Sequence, residues 1–101
     1  MHEIVVKQPG QPEIPGKLIP GVYRIGSSPA SHIQLSKTLG VEAQHAQLVV
    51  QPDFVQIVDL QTPSGIFLDG IRVPSGQAAV IAPGGSVKIG QIELLYKGPE
   101  S

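Results

Sequence analysis

Residues 64–73 read SGIFLDGIRV, and this stretch decides the fold class because two short apolar runs flank a tight turn. The runs are Ile66–Leu68 and Ile71–Val73, and Asp69-Gly70 between them is the strongest short hairpin signal in the chain. Side chains alternate between the two faces of a strand, so at most two of the three residues in the first run can face the core together. We therefore expect one exposed apolar side chain beside the loops, where it is a candidate partner contact.

The rest of the chain repeats this pattern of short apolar runs separated by turn residues. Val87 and Ile89 alternate with Ser86 and Lys88, which predicts a half-buried strand. Gln8–Gly16 contains three prolines and is predicted to be a loop. The other predicted strands are Glu3–Lys7, Lys17–Ile19, Gly21–Ile25, Ile33–Leu35, Ala46–Gln51, Phe54–Asp59, Ala79–Ile81, Ser86–Ile89 and Ile92–Tyr96. About ten or eleven closely spaced strands without a helical period predict an all-β sandwich or barrel.

Composition excludes several classes of function. The chain has 101 residues, which is one domain, and its seven Lys and Arg against eight Asp and Glu give a net charge of −1. Without a basic stripe, no nucleic-acid partner is expected. No apolar run approaches the ~20 residues that span a bilayer, and no signal peptide is present, so we expect a cytoplasmic domain without membrane insertion. The chain has no cysteine, which removes disulfides and thiolate chemistry.

The polar residues do not form a recognisable catalytic or metal-binding pattern. His45 has no cysteine or second histidine at ligand spacing, and Ser64-Gly65 lacks the glycine two positions earlier that a nucleophile elbow needs. Asp59 is better placed to cap a turn than to act as a base. We therefore expect no enzymatic activity, no catalytic residues, no metal and no cofactor.

The order of short motifs along the chain resembles that of the forkhead-associated (FHA) family. The resemblance extends from about Ile4 to Tyr96, and none of its motifs is decisive alone. The motifs are Ile25-Gly26, Ile33-Gln34-Leu35, residues 41–46 (VEAQHA), Asp59-Leu60, residues 64–70 (SGIFLDG), Pro83-Gly84 and residues 87–90 (VKIG). The resemblance implies a sandwich of about eleven short strands in two twisted sheets. It also implies that residues 1–101 are a single domain with a core of about 3–97, and we expect that domain to be one module of a longer protein.

FHA domains read phosphothreonine through loops at one end of the sandwich, and this sequence departs from the family at the three main positions. The family's Arg after the first Ile-Gly is Ser27 here, its Ser three residues before the motif His is Glu42, and its Asn before the later Gly is Ser64. Gly26, His45 and Gly65 match the family's scaffold, in which the histidine braces the binding loops.

These departures imply that phosphothreonine recognition is weakened or lost. Replacing the Arg removes a bidentate charge-assisted contact, and such hydrogen bonds contribute roughly 1.5–3 kcal/mol each. A Glu42 carboxylate at about 5 Å from a phosphate dianion would repel it by a few kcal/mol at an effective dielectric of about 20, before screening by salt. The expected function is therefore protein–protein interaction through the loop end, independent of phosphorylation.

The alternative is a functional phosphothreonine reader that uses other loop residues, namely Ser27, Ser28, Lys37 and Thr38. Arg24, Ser31 and Gly65 would be additional contacts. The first loop contains Ser27, Ser28 and Ser31, and the second contains Ser36, Lys37 and Thr38; Lys37 and Arg24 are the cations that the sequence places near these two loops. The competing interpretation is that the loop hydroxyls only satisfy neighbouring backbone groups.

Overall fold

The computed structural model describes residues 1–99, which form eleven β-strands in two sheets. The strands are β1 (His2–Lys7), β2 (Ile14–Leu18), β3 (Gly21–Gly26), β4 (Ile33–Gln34), β5 (Ala46–Val50), β6 (Val55–Asp59), β7 (Ile66–Leu68), β8 (Ile71–Arg72), β9 (Ala78–Ile81), β10 (Ser86–Ile89) and β11 (Ile92–Pro99). A short 3₁₀ helix at Lys37–Leu39 precedes β5. The six-stranded sheet has the order β2-β1-β11-β10-β7-β8, and the five-stranded sheet has the order β4-β3-β5-β6-β9. The all-β sandwich of about eleven strands is confirmed.

The hairpin around Asp69-Gly70 forms as the sequence predicts. Both turn residues have positive φ, 51° at Asp69 and 84° at Gly70, which is the mirror-image turn that matches the twist of paired strands. The turn fixes the register, in which Phe67 lies opposite Arg72. Of the first run, Ile66 is buried, Leu68 is half-buried and Phe67 is exposed, so the expectation of one exposed apolar residue is confirmed.

The core lies between the two sheets and is built by strand alternation. In β10, Val87 and Ile89 are buried while Lys88 is exposed, as the alternating pattern predicts. Burial of the aliphatic side chains is the main stabilising contribution, roughly 25 cal/mol for each Å² of apolar surface removed from water. The fully buried members of the core include Ile25, Ala46, Val55, Ile57, Ile66, Ile89 and Ile92.

One prediction was wrong: the segment Gln8–Gly16 is not entirely a loop. Strand β2 begins at Ile14 and pairs with β1, with Pro15 opposite Val5. Because β2 is the edge of its sheet, the missing N–H of Pro15 can face away from the ladder at no cost. Proline therefore excluded a helix here but not an edge strand.

Candidate functional site

The imidazole of His45 connects two of the loops at one end of the sandwich. His45 precedes β5 and is fully buried. Its Nδ1 accepts a hydrogen bond from the Glu42 N–H at 3.0 Å, and its Nε2 lies 2.9 Å from the Gly65 carbonyl oxygen. Since a carbonyl oxygen only accepts, Nε2 carries the proton and the ring is the neutral tautomer that satisfies both neighbours. The second loop and the β6–β7 loop are thus held together by one side chain.

A buried carboxylate extends this network into the β6–β7 loop. Asp59 Oδ1 accepts from the Thr62 hydroxyl at 3.2 Å, and its Oδ2 accepts from the Ser75 hydroxyl at 3.3 Å. The Thr62 hydroxyl oxygen in turn accepts from the Gly65 N–H at 3.1 Å. The expectation that Asp59 caps a turn agrees with these bonds. Thr62 and Ser75 were not predicted from the sequence, although the three-residue spacing from Asp59 to Thr62 is a turn signal.

The first and second loops are joined by their backbones. The Ser27 N–H donates to the Glu42 carbonyl at 2.9 Å, and the Ser28 N–H donates to the Ala43 carbonyl at 3.2 Å. A Cβ at Gly26 would lie 2.1 Å from the Ala43 carbonyl oxygen, which no side chain can tolerate. Glycine is therefore required here by close backbone approach, at the point where β3 ends.

The structure brings the three family positions to the same end of the sandwich. Ser27 and Glu42 are directly hydrogen-bonded through their backbones, and Ser64 precedes the Gly65 carbonyl that His45 holds. The Glu42 side chain is exposed, and no ion-pair partner for it occurs among residues 1–99. These three positions therefore supply one exposed carboxylate, without an ion-pair partner among residues 1–99, and two hydroxyls.

The other predicted loop contacts fall into two groups. Arg24, Ser28 and Ser31 line a small depression of about 40 Å³ at the first loop. Lys37 and Thr38 lie outside it, on the 3₁₀ helix. The hydroxyls are engaged locally, because Ser28 Oγ accepts from the Ala30 N–H at 3.2 Å and Thr38 Oγ1 lies 2.7 Å from Ser36 Oγ.

A further cation, Arg72, reaches the loop end and was missed by the sequence analysis. Its Nη2 donates to the Pro63 carbonyl at 3.3 Å, and its Nε would lie 2.7 Å from a Cβ at Gly65. Arg24 and Lys37 are therefore not the complete set of cations near these loops. The predicted hairpin could have located Arg72, because its register places residue 72 beside residue 67, next to the adjoining loop.

The family model for the FHA domain matches residues 23–90, which span the loops and strands just described. The chain belongs to the FHA family. FHA domains are interaction modules, and the fold and loop arrangement agree with this assignment.

Relatives of known structure share this FHA fold. The FHA domain of a Chlamydia trachomatis protein superposes with a TM-score of 0.86 at 20% identity, over 99% of this chain and 100% of that chain. EmbR of Mycobacterium tuberculosis, solved in complex with a low-affinity phosphopeptide, gives a TM-score of 0.80 at 21% identity, over 99% of this chain and 25% of EmbR.

A relative of known sequence places a similar domain in a much longer protein. An ABC transporter ATP-binding/permease protein of Mycobacterium tuberculosis is 34% identical over 91 residues, which cover 90% of this FHA chain. The chain spans about a tenth of that relative, since the aligned part is 10% of its length.

Within residues 1–99, no three His, Asp or Glu side chains lie close enough together to hold a metal ion. The same part of the chain contains no helix long and apolar enough to cross a membrane.

Proposed function

We propose that this FHA domain binds a partner protein through its loop end, with phosphothreonine recognition weakened or lost. The observation that carries the proposal is the backbone bond between Ser27 and Glu42, because it puts the carboxylate residue beside the position where the family has its arginine. The family's guanidinium is then missing beside a carboxylate that a dianion must approach, while the Arg72 guanidinium at the loop end bonds the Pro63 carbonyl. Each loss of about 1.4 kcal/mol is tenfold in affinity, so a combined loss of about 4 kcal/mol from the two effects moves a micromolar ligand to millimolar.

The rest of the loop end remains suitable for binding a protein. His45 and Thr62 fix the Gly65 backbone, and Gly26 allows the first two loops to pack closely. A rigid surface loses little conformational entropy on association, which favours binding. We propose that Gly26 and His45 support the loops in this way, and that the domain acts without catalysis.

The second candidate function is phosphothreonine reading through Ser27, Ser28, Lys37 and Thr38. Lys37 favours it, because its ammonium is exposed and has no ion-pair partner among residues 1–99. The local bonds of Ser28 and Thr38 oppose it, since a phosphate would have to replace contacts that these hydroxyls already make. A ligand would gain the additional contacts with Arg24, Ser31 and Gly65 only if it reached both the first loop and the β6–β7 loop.

Matched peptide libraries separate the two candidates. The 101-residue chain is titrated by fluorescence anisotropy with peptides that differ only in threonine or phosphothreonine. We expect any binding to be equal for the two forms. Phosphate-dependent binding at low micromolar concentration would contradict the proposal, and its loss in Lys37→Gln would assign it to the second candidate. Ser101→Ala serves as a control variant away from the loops in sequence.

We also propose that the domain is part of a longer protein. The transporter relative supports a place as one module of a longer protein, since a similar domain is a tenth of that chain. We propose that residues 1–101 act there as a single domain with a core of about 3–97, on the cytoplasmic side. Expression of the 101 residues alone, followed by one cooperative unfolding transition, would support the domain limits.

A further inference from the structure

An open groove lies on the outer face of the six-stranded sheet, away from Ser27 and Glu42, and reaches the loop end at Ser64. It has a volume of about 580 Å³ and contains the exposed ring of Phe67. Ser64 and Gly65 line its end at the loops, and Gly70 and Ser86 line its other end. The groove forms because the residues around Phe67 are mostly glycine and serine, whose small side chains leave space beside the aromatic ring.

The hairpin register places a cation on each side of the aromatic ring. Phe67 lies opposite Lys88 on β10 and opposite Arg72 on β8. Neighbouring strands are about 4.8 Å apart, so the two cationic residues stand on strands about 10 Å from each other. Lys88 is exposed and lines the groove, while Arg72 lies over Gly65 at the loop end.

The nearby carboxylates are already occupied. Glu93 lines the groove opposite Lys88, but its Oε1 lies 3.9 Å from the Lys7 ammonium. Asp69 Oδ1 accepts the Ser86 N–H at 2.8 Å in the hairpin turn. Neither Lys88 nor Arg72 has an ion-pair partner among residues 1–99. Lys88, which lines the groove, and Arg72, which lies beside Gly65 at its loop end, thus flank a Phe67 side chain that is 36% exposed.

From this arrangement we propose that the groove binds an extended acidic peptide whose central side chain is apolar. The apolar side chain covers Phe67, and Asp or Glu residues on either side pair with Lys88 and Arg72. From Ser86 to Gly90 the groove follows β10 for about 13 Å at ~3.3 Å per residue, which accommodates about four or five extended residues. Of the family's phosphate positions the groove includes only Ser64, at its loop end, and the proposal does not depend on the function proposed for Ser27 and Glu42.

The probe is the capped pentapeptide Asp-Glu-Leu-Asp-Glu, titrated into the ¹⁵N-labelled 101-residue chain and followed by amide chemical shifts. We expect shifts confined to residues 64–72 and 86–93, and weaker binding as salt rises from about 50 to 200 mM. Lys88→Gln and Arg72→Gln should each weaken the peptide about tenfold, the effect of losing one charge-assisted contact. Lys37→Gln is the matched control and should leave the affinity unchanged.

Two control peptides test the assigned chemistry. Asn-Gln-Leu-Asn-Gln tests the charge and Asp-Glu-Gly-Asp-Glu tests the apolar side chain, and both should bind at least tenfold more weakly. The proposal is overturned by equal binding of either control, by shifts that cluster at residues 26–45, or by no shift at millimolar peptide. Tighter binding of a thymidine decanucleotide to the same amides would also overturn it, in favour of a nucleic-acid surface.

Discussion

The His45 Nε2–H donates to the Gly65 carbonyl across 20 positions of sequence, at 2.9 Å, while the Nδ1 of the same ring accepts the Glu42 N–H. One buried ring therefore holds two loops that carry family binding positions. A substitution of His45 can therefore disturb both of these loops while the two sheets stay intact.

Replacing this ring should destabilise the domain and loosen the loops. His45→Ala leaves a buried N–H and a buried carbonyl without their partner and removes packing, which together should cost about 2–4 kcal/mol of unfolding free energy. Urea unfolding measures this loss. His32→Ala, at an exposed histidine, is the control and should cost less than about 1 kcal/mol. Equal losses in the two variants would contradict the bridging role.

Gly26 should not accept even a methyl group. A Cβ there would meet the Ala43 carbonyl oxygen at 2.1 Å, and backbone must shift to admit it, so Gly26→Ala should cost about 3 kcal/mol or prevent folding. Gly16→Ala is the control, because its Cβ would meet Ile4 Cγ1 at an ordinary 3.5 Å. Thermal unfolding of both variants checks the prediction, and a Gly26→Ala melting temperature close to that of the parent chain would refute it.

Alkaline pH should weaken the fold through Tyr96. Burial raises the pKa of the Tyr96 hydroxyl above its ordinary value, and that hydroxyl bonds the buried His2 Nδ1 at 2.6 Å. Because the folded pKa exceeds the unfolded one, this contribution is complete below about pH 10 and is lost as pH rises through the folded pKa. Urea midpoints from pH 8 to 11 should fall less steeply in Tyr96→Phe than in the control Tyr23→Phe. Parallel curves would contradict this.

Phosphothreonine binding should be recoverable in steps. Glu42→Ser removes the repulsive carboxylate, Ser27→Arg adds the guanidinium, and Ser64→Asn adds the amide that the family uses. We expect little phosphate-dependent affinity from any single change and at least a hundredfold gain from all three, equal to about 2.7 kcal/mol. Calorimetry with a phosphothreonine peptide and its threonine counterpart measures the gain. As a control, Glu13→Ser removes an exposed carboxylate elsewhere and should add nothing.

Local sequence predicted the hairpins because their causes are local. The Asp69-Gly70 pair sets its own turn, and alternation in β10 sets which side chains are buried. Strand β2 was predicted at Lys17–Ile19, but its start at Ile14 was missed because its pairing with β1 spans a proline-rich loop, and such a partner cannot be read from neighbouring residues. Arg72 was missed for the same reason, since its contacts are with Pro63 and Gly65 in another loop.

The sequence by itself determined the strand periodicity and the turns, because these depend on nearest neighbours. Motif order predicted which three residues stand at the family's phosphate positions. The tertiary structure decided which loops meet, that His45 joins Glu42 to Gly65, and that Phe67 lies between Lys88 and Arg72. These contacts arise only when distant strands pair and fix their registers, because hydrogen bonds and packing act over a few ångströms in space regardless of separation along the chain.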